Sequence, residues 1–291
     1  MGKGNRLRRL MKERDILVVP SVYDSVSARI ASVQGFDVLS ITGYGMEASA
    51  IGKPDLGLVT MDAMVRQAKY IVESTDAAVI CDIDTGYGGV LNVWQTVKEM
   101  QQVGVAAVHI EDQTIPKKCG GMPGRNVVSI DHMIGKIQAA IDARGDGDIV
   151  ILARTDARAK HGIKESIARA NAYLRVGADG AMIAEHCEPQ ELIRAAAEIK
   201  GPLCICGGIP GWPESLQPLK TYKEWGIKMV AYPFLALYAA ARAIREANQL
   251  LKSPELVSQA AVESNMMSFD EFNEIMRLSF WNKIAERYEK E

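Results

Sequence analysis

The sequence has little that would tie this 291-residue chain to a nucleic acid or a membrane. Its 34 basic and 36 acidic residues form no basic stripe with interleaved aromatic residues, so we expect no nucleic-acid partner. Its longest apolar runs are strand-sized, which excludes a membrane-spanning helix. The basic N-terminus lacks the apolar segment of a signal peptide, and we therefore expect a cytoplasmic protein.

Cysteine pairs and glycine-rich nucleotide motifs are also scarce. The five cysteines are odd in number and include no two pairs at zinc-site spacing. We therefore expect reduced and mostly buried thiols, with Cys119 as the exception. No G-x-G-x-x-G motif follows an early strand pattern, which argues against an open dinucleotide-binding sheet.

Short apolar runs that end in polar or glycine residues recur along the chain. Their length and nearly continuous apolar character are typical of parallel strands that are buried on both faces. The eight runs span residues 16–20, 37–42, 77–84, 106–112, 148–155, 180–185, 203–208 and 229–234.

Helical patterns with polar starts and glycine ends alternate with these runs. The clearest of them cover residues 60–74, 92–103, 129–144 and 163–176. A further pattern at 7–14 predicts a surface helix before the first strand. Eight alternations predict a (β/α)8 barrel of the TIM type, as a single domain over residues 1–291. An open, doubly wound sheet is the alternative.

More than fifty residues follow the eighth strand. A long helix at 235–252 precedes a C-terminal helical extension, 253–291, in which a capping box at Ser268 opens an apolar stripe. A closed barrel has little need of this stripe, so we expect it to contact a second copy in a homo-oligomer; packing on its own barrel is the alternative. The stripe comprises Phe269, Phe272, Ile275, Met276, Phe280, Trp281 and Ile284.

Acidic side chains gather where the third and fourth strands end. In a (β/α)8 barrel these carboxyl ends form the rim that carries the active site. Alternation along the strand places Asp82 and Asp84 on one face, and Glu111 and Asp112 end the next strand. Clustered carboxylates repel one another, and Mg²⁺ prefers single oxygen ligands and water, so we predict a magnesium site. Helix caps and surface ion pairs are the alternative.

The loop EDQTIPKKCGGMPGR follows the fourth strand and lies over the same rim. Lys117 and Lys118 are expected to lower the pKa of the Cys119 thiol and to attract an anionic substrate. Gly120 and Gly121 give the loop the freedom to close as a lid and to exclude water. A chance exposed thiol is the alternative.

Five motifs make the chain similar to a known superfamily. They are ITGYG, DIDTGYG, HIEDQTIPKKCG, ILARTDAR and AYPFLALY, and they extend over most of the sequence. The chain resembles the isocitrate lyase/phosphoenolpyruvate mutase superfamily, and within it the short lyases that act on 2-methylisocitrate or 2,3-dimethylmalate. The resemblance implies a barrel whose last helix is exchanged between subunits, usually in a tetramer. It also implies Mg²⁺ as cofactor, with Mn²⁺ as an alternative.

The resemblance assigns roles to residues at the rim. Asp84 matches the main metal carboxylate, and Asp82 and Glu111 complete the metal shell through water. Cys119 matches the proton-transferring thiol, and it is expected to act in catalysis with Arg154 and Glu111. The expected contacts to a small carboxylate substrate are Thr42, Gly43, Tyr44, Lys117, Gly120, Arg154 and Glu185.

Three positions depart from the superfamily pattern. Gly121 stands where the lyases usually have His, and the seventh strand ends in LCICGGIPGW, where they usually have Asn and Glu. Tyr238 stands where 2-methylisocitrate lyases hold a substrate carboxylate with Arg, as in dimethylmalate-type enzymes. His186 follows a strand end and is a further candidate, weighed against a helix-start or surface role.

The expected reaction is a Mg²⁺-dependent retro-aldol cleavage of a 2-hydroxy di- or tricarboxylate to a 2-keto acid, such as pyruvate, and a second carboxylic acid. Arg154 would stabilise the oxyanion, and Cys119 would protonate the carbanion. The alternatives within the superfamily are an oxaloacetate decarboxylase or hydrolase and a carboxyvinyl-carboxyphosphonate-type mutase. The alternative outside the enzymes is a non-catalytic barrel that binds a keto acid without turnover.

Overall fold

The sheet of this protein is a closed barrel. The computed structural model describes residues 2–185, 187–209, 211–252, 257–264 and 266–289. Eight parallel strands pair in chain order and the first pairs with the last, which confirms the barrel and excludes the open sheet. The strands are β1 (Leu17–Val22), β2 (Val38–Ile41), β3 (Ala78–Asp82), β4 (Ala107–Glu111), β5 (Val150–Thr155), β6 (Gly180–Ile183), β7 (Leu203–Cys206) and β8 (Met229–Tyr232).

Helices surround the barrel and extend beyond it. The α-helices are α1 (Lys3–Glu13), α2 (Ser25–Val33), α3 (Gly43–Met46), α4 (Met61–Glu73), α5 (Val90–Gln102), α6 (Ile130–Arg144), α7 (Arg158–Arg175), α8 (Pro189–Glu198), α9 (Leu219–Glu224), α10 (Leu235–Leu251), α11 (Gln259–Glu263), α12 (Phe269–Ile275) and α13 (Leu278–Tyr288). Among the described residues, none of these helices combines the length and apolar character that a bilayer crossing requires.

Local sequence signals set several helix boundaries. The Asp24 side chain accepts a hydrogen bond from Ser27 N at the start of α2, and Ser129 caps α6 in the same way. Gly145 ends α6 with φ of 53°, a left-handed angle that favours glycine. The four helices predicted between strands are therefore present as α4 to α7, although α7 begins earlier and is kinked at Gly162.

The first helix is not the surface helix that the sequence predicts. Leu7, Leu10 and Met11 of α1 are buried and pack with Leu17 and Leu152, which belong to the barrel strands. The amphipathic stripe of α1 thus closes one end of the barrel, and its basic side chains remain at the surface. Length and composition alone could not distinguish these two placements.

The C-terminal extension is more broken than the sequence predicts. Ser268 caps a helix as expected, but the helix ends at Ile275, and Arg277, with φ of 62°, separates α12 from α13. Phe269 and Trp281 are 81% and 60% exposed. The apolar stripe is present in the described residues, and this chain alone does not bury it.

Candidate active site

The two carboxylates that follow β3 meet at the mouth of the barrel. Asp82 ends the strand, and Asp84 lies two residues beyond it with a left-handed φ of 50°. The backbone N–H of Asp84 donates a hydrogen bond of 3.0 Å to Asp82 Oδ1. A tight turn, rather than the strand alternation that the sequence analysis assumed, therefore brings the two side chains together.

Residues at the end of β2 lie against these carboxylates. A Cβ on Gly43 would stand 3.2 Å from Asp84 Oδ1 and 3.3 Å from Asp82 Oδ2, so a side chain at this position would crowd both acids. Thr42 caps the short helix α3, and its Oγ1 accepts a hydrogen bond from Gly45 N. The structure thus brings the predicted Thr42-Gly43 turn to the predicted metal carboxylates.

Arg154 connects the carboxylates of three strands. It pairs in register with Glu111 of β4, and its Nη2 lies 2.9 Å from Glu111 Oε2. It donates two hydrogen bonds to Asp156, of 2.8 and 3.0 Å, and lies 3.4 Å from Asp82. The guanidinium is therefore held in one orientation at the rim, where a developing oxyanion would meet fixed donors.

Lys117 lies deeper than a substrate-attracting surface residue. It is 5% exposed, and its Nζ forms ion pairs with Asp55 and, at 2.6 Å, with Asp84. Asp55 was missed by sequence reasoning because it lies in a loop far from any strand end; its position between Pro54 and Gly57 is the only local signal. The same loop accepts a hydrogen bond at Asp55 O from Cys119 N, 3.1 Å away.

The lid over the rim is closed. Cys119 is only 8% exposed, which excludes the alternative of a chance exposed thiol. A Cβ on Gly120 would lie 3.3 Å from Ala184 O and 3.4 Å from Arg154 Nη2, so glycine allows the lid backbone to approach the guanidinium. The predicted loop therefore covers the mouth, and all five cysteines are free thiols.

The lysines do not lower the pKa of Cys119 as predicted. Burial raises this pKa to about 11, and the weaker effects of Arg154 and Lys117 do not offset it. The charge of Lys117 is already balanced by two aspartates, and the backbone of Lys118 is hydrogen-bonded to Gln113. Cys119 is thus a neutral thiol, a state that suits a proton donor better than a nucleophile.

A second arginine fastens the lid and was missed by sequence reasoning. Arg125 Nη1 donates to Cys119 O at 3.2 Å and to Met122 O, and Nη2 pairs with Glu185. Glu185 also accepts a hydrogen bond of 3.0 Å from Ala159 N. Glu185 is therefore engaged with the lid and lines an outer cavity of about 580 Å³ rather than the inner one. The candidate His186 lies outside the described residues.

The inner cavity beneath the lid has a volume of about 50 Å³, and its lining side chains are of two chemical kinds. The polar ones are Thr42, Asp55, Asp82 and Arg154. The apolar and aromatic ones, together with the two thiols, are Tyr44, Cys119, Cys206, Ile209, Trp212, Pro233 and Phe234. The predicted thiol and guanidinium and one predicted metal carboxylate, Asp82, thus line one cavity, whereas Asp84 and Glu111 do not line it.

Several buried carboxylate oxygens at the mouth lack hydrogen-bond donors. Neither oxygen of Glu111 receives a hydrogen bond of normal geometry, and Asp84 Oδ1 has only its ion pair with Lys117. Burial raises the pKa of Asp84 to about 7 and that of Glu111 well above its usual value. For Asp82, Arg154 and Lys117 outweigh burial and lower the pKa.

These carboxylates fit a hydrated divalent cation. Among the described residues, no three acidic, His or Cys side chains lie close enough to bind a metal directly. Mg²⁺ usually takes one or two carboxylates and keeps several waters, so such a set is not required. Five carboxylates and three cationic side chains lie at the mouth: Asp55, Asp82, Asp84, Glu111 and Asp156, with Lys117, Arg125 and Arg154. A divalent cation would reduce this excess of negative charge.

The chain matches the Phosphoenolpyruvate phosphomutase family over residues 7–252. It is 37% identical to the 2,3-dimethylmalate lyase of Eubacterium barkeri over 288 residues, which cover 99% of each chain. It is 40% identical to a 2-methylisocitrate lyase of Halalkalibacterium halodurans over 277 residues, which cover 92% of this chain and 90% of the relative.

Solved structures share the same barrel. A complex of oxaloacetate acetylhydrolase with 3,3-difluorooxalacetate has a TM-score of 0.91 and 31% identity, covering 98% of this chain and 96% of that chain. A phosphonopyruvate hydrolase complex with oxalate and Mg++ has a TM-score of 0.88 and 27% identity, covering 100% of both chains. The predicted superfamily and reaction class are confirmed: the chain belongs to the phosphoenolpyruvate mutase/isocitrate lyase superfamily, and it is an enzyme of the carbon–carbon lyase type.

Proposed function

We propose that this protein is a Mg²⁺-dependent lyase that cleaves a 2-hydroxy dicarboxylate of the 2,3-dimethylmalate type to a 2-keto acid and a second carboxylic acid. One observation carries the proposal: the Cys119 thiol, the Arg154 guanidinium and Asp82 line the same cavity. Asp84 and Glu111 adjoin it with buried, unsatisfied oxygens.

The carboxylates at the mouth would hold the metal ion. Asp84 would bind it directly, and Asp82 and Glu111 would bind its water ligands. Bound there, Mg²⁺ would supply Lewis-acid polarisation of the oxygen that becomes the keto group. A structural neighbour that is a complex with oxalate and Mg++ supports this choice of metal.

Polar groups at the cavity would position and stabilise the substrate. The Thr42-Gly43 turn, which lies against Asp82 and Asp84, would orient the carboxylate of the keto-acid half. Arg154 would stabilise the oxyanion that develops as the carbon–carbon bond breaks, because Asp156 holds its guanidinium in place with two hydrogen bonds.

Cys119 would complete the reaction by protonating the carbanion. Its pKa of about 11 keeps the thiol protonated at neutral pH, so a proton is available for the carbon that leaves. The closed lid keeps bulk water from that carbanion, so the thiol is the nearest proton source. The substrate hydroxyl would lose its proton to Glu111, and breaking the carbon–carbon bond would leave the electron pair on the departing carbon. The thiol proton would restore the fourth bond of that carbon, and the proton held by Glu111 would return to the thiolate, through solvent, before the next turnover.

The residues after β8 favour a dicarboxylate over a tricarboxylate. The Tyr44 and Tyr238 hydroxyl groups lie 2.8 Å apart and share a hydrogen bond, and Phe234 packs beside both rings. A third carboxylate at this point would meet neutral aromatic groups instead of a guanidinium. The 37% identity to a 2,3-dimethylmalate lyase supports the same choice.

A panel assay tests the proposal directly. Release of the 2-keto acid is measured with 2,3-dimethylmalate, 2-methylisocitrate, isocitrate and oxaloacetate, each with Mg²⁺ and with a chelator. We expect the highest kcat/KM with 2,3-dimethylmalate and loss of activity in the chelator. Turnover of oxaloacetate alone would contradict the proposal and favour the activity named for one structural neighbour, oxaloacetate acetylhydrolase.

We also propose that a second copy of the chain covers the outside of β1 and β8. The helix α10 has no buried residue, although it follows the last strand of the barrel. An apolar groove of about 600 Å³, lined by Val22, Ile30, Phe36 and Leu235 among others, lies between α2 and α10. Exchange of the C-terminal helices in a homo-oligomer, with a tetramer as the expected state, would bury these surfaces.

Sedimentation measurements test this assembly. The full-length chain should sediment as an oligomer, and deletion of residues 268–291 should shift it towards a smaller species or cause aggregation. A monomeric wild type would contradict the exchange of helices.

A further inference from the structure

The loop after β7 places an indole ring directly over the lid. A Cβ on Gly121 would lie 3.4 Å from Trp212 Cη2 and 3.7 Å from Cζ3, and 4.0 Å from Cys119 Sγ. These are ordinary van der Waals distances, so the indole lies directly beside the lid backbone. Trp212, Gly121 and the thiol are therefore immediate neighbours.

The position of Trp212 is fixed by its own loop. The buried Ser215 hydroxyl donates to Trp212 O at 2.6 Å and accepts from Ile209 N at 2.7 Å. The Tyr222 hydroxyl in turn donates to Ser215 O at 2.7 Å. These bonds fix the backbone at Trp212, and the indole packs against the buried cluster of Cys119, Ile209 and Phe234.

Trp212 belongs to the apolar lining of the inner cavity. Cys119, Ile209 and Phe234 form one buried cluster, against which Trp212 and Tyr44 pack. Thr42 and Arg154 line the same cavity but do not belong to this cluster. A substrate whose charged groups contact Thr42 and Arg154 would therefore have the carbon nearest Cys119 beside apolar side chains.

The charge of the cavity excludes a carboxylate from that apolar surface. Arg154 is the only cationic side chain among the cavity-lining residues that the structure describes, and it is already paired with Asp82, Glu111 and Asp156. A carboxylate placed against Trp212 and Ile209 would lose its water without gaining a partner. An alkyl group in the same place would instead gain burial.

We propose that Trp212, seated over Gly121, is a specificity-determining residue. It encloses an alkyl substituent on the carbon that Cys119 protonates, and it excludes a carboxymethyl group from that position. The preferred substrates are therefore 2-hydroxy dicarboxylates that carry a small alkyl group on this carbon, and tricarboxylates are poor substrates. The inference rests on the proposed lyase function.

The kinetic test compares Trp212→Ala with Trp212→Phe, and with Trp94→Ala, which removes an indole from the outer helix α5. For each variant kcat/KM is measured with 2,3-dimethylmalate and 2-methylisocitrate. Trp212→Ala should reduce the preference for the dimethyl substrate by roughly 10- to 200-fold, mainly through KM, as expected when an apolar pocket is opened. Trp212→Phe and Trp94→Ala should keep the wild-type preference. An unchanged preference in Trp212→Ala would overturn the inference.

A binding measurement separates this inference from the lyase proposal. The affinities of 2,3-dimethylsuccinate and propane-1,2,3-tricarboxylate, which lack the hydroxyl group, are measured by calorimetry with Mg²⁺ present. The wild type should bind the dimethyl acid more tightly, and Trp212→Ala should lose this preference. If this result is obtained but neither cleavage substrate reacts, the lyase proposal fails and the role of Trp212 in specificity stands. Equal affinities of the wild type for the two acids would overturn the role of Trp212 in specificity.

Discussion

Two adjacent carboxylates at the end of β4 have opposite surroundings. Asp112 points out of the barrel and accepts hydrogen bonds from Thr155 Oγ1, Asp156 N and the Tyr173 hydroxyl, at 2.8 to 2.9 Å. Arg169 pairs with it at 3.2 Å. Glu111 points to the mouth, is equally buried, and receives no hydrogen bond of normal geometry.

The contrast separates a structural acid from a functional one. A buried carboxylate with four donors holds strands and helices together, and nothing more is required of it. A buried carboxylate without donors lowers stability, and a fold retains such a group where a ligand or cation will satisfy it. The mouth, with Glu111, Asp84 and Cys119, should therefore respond to mutation in activity, and the outer layer around Asp112 in stability.

The largest effect is expected at Asp84, on the mouth side. Asp84→Ala should reduce kcat/KM by roughly 10³-fold or more, because Lewis-acid stabilisation is worth several kcal/mol. Added Mg²⁺ should not restore activity, and the melting temperature should stay close to that of the wild type because Lys117 keeps its ion pair with Asp55. Full activity of this variant in a chelator would remove the metal from the mechanism.

The next effect is expected at the thiol. Cys119→Ser preserves the shape of the lid but supplies a much weaker acid, so kcat should fall on the order of 10² to 10⁴. Binding of a non-cleavable dicarboxylate, measured by calorimetry, should change little. A variant that reacts at the wild-type rate on the best substrate would show that the thiol is incidental.

A matched pair of variants tests the contrast itself. Asp112→Ala should lower the free energy of unfolding by about 3–5 kcal/mol, because Arg169 loses its buried partner. Glu111→Gln leaves Arg154 paired with Asp82 and Asp156 and removes a buried acid that receives no hydrogen bond, so urea unfolding should show little or no loss of stability, while activity with Mg²⁺ falls. If both variants lose the same stability, the distinction between the two sides of β4 is wrong.

The smallest effect is the pH dependence contributed by Cys119. Its pKa is raised from 9.0 to about 11, so the folded state holds this proton more tightly than the unfolded chain. The resulting stabilisation is fully present below pH 9 and is lost as the pH rises to about 11, up to about 3 kcal/mol. Urea unfolding at pH 8 and at pH 11 gives the loss in free energy of unfolding between these two pH values. This loss should be smaller for Cys119→Ala than for the wild type. Equal losses would indicate that the thiol is more accessible to solvent.

Much of the site could be read from the sequence because parallel strands deliver their carboxyl ends to one rim. That rule locates Asp82, Glu111 and Arg154 without coordinates, since each ends a recognisable apolar run. Asp55 and Arg125 follow no such rule. They reach the site through loops whose paths depend on Lys117 and on the lid, and neither path leaves a periodic signal.

The sequence by itself determined the barrel, its eight strands and most of its helix starts. The reason is that hydrophobic periodicity, apolar runs and helix-capping residues are properties of short stretches of sequence. Only the tertiary structure decided that α1 closes the barrel and that Arg277 interrupts the last helix. It also decided that burial, and not the neighbouring lysine charges, sets the pKa of Cys119. Burial depends on what the whole chain packs around a group, so residue order along a loop cannot reveal it.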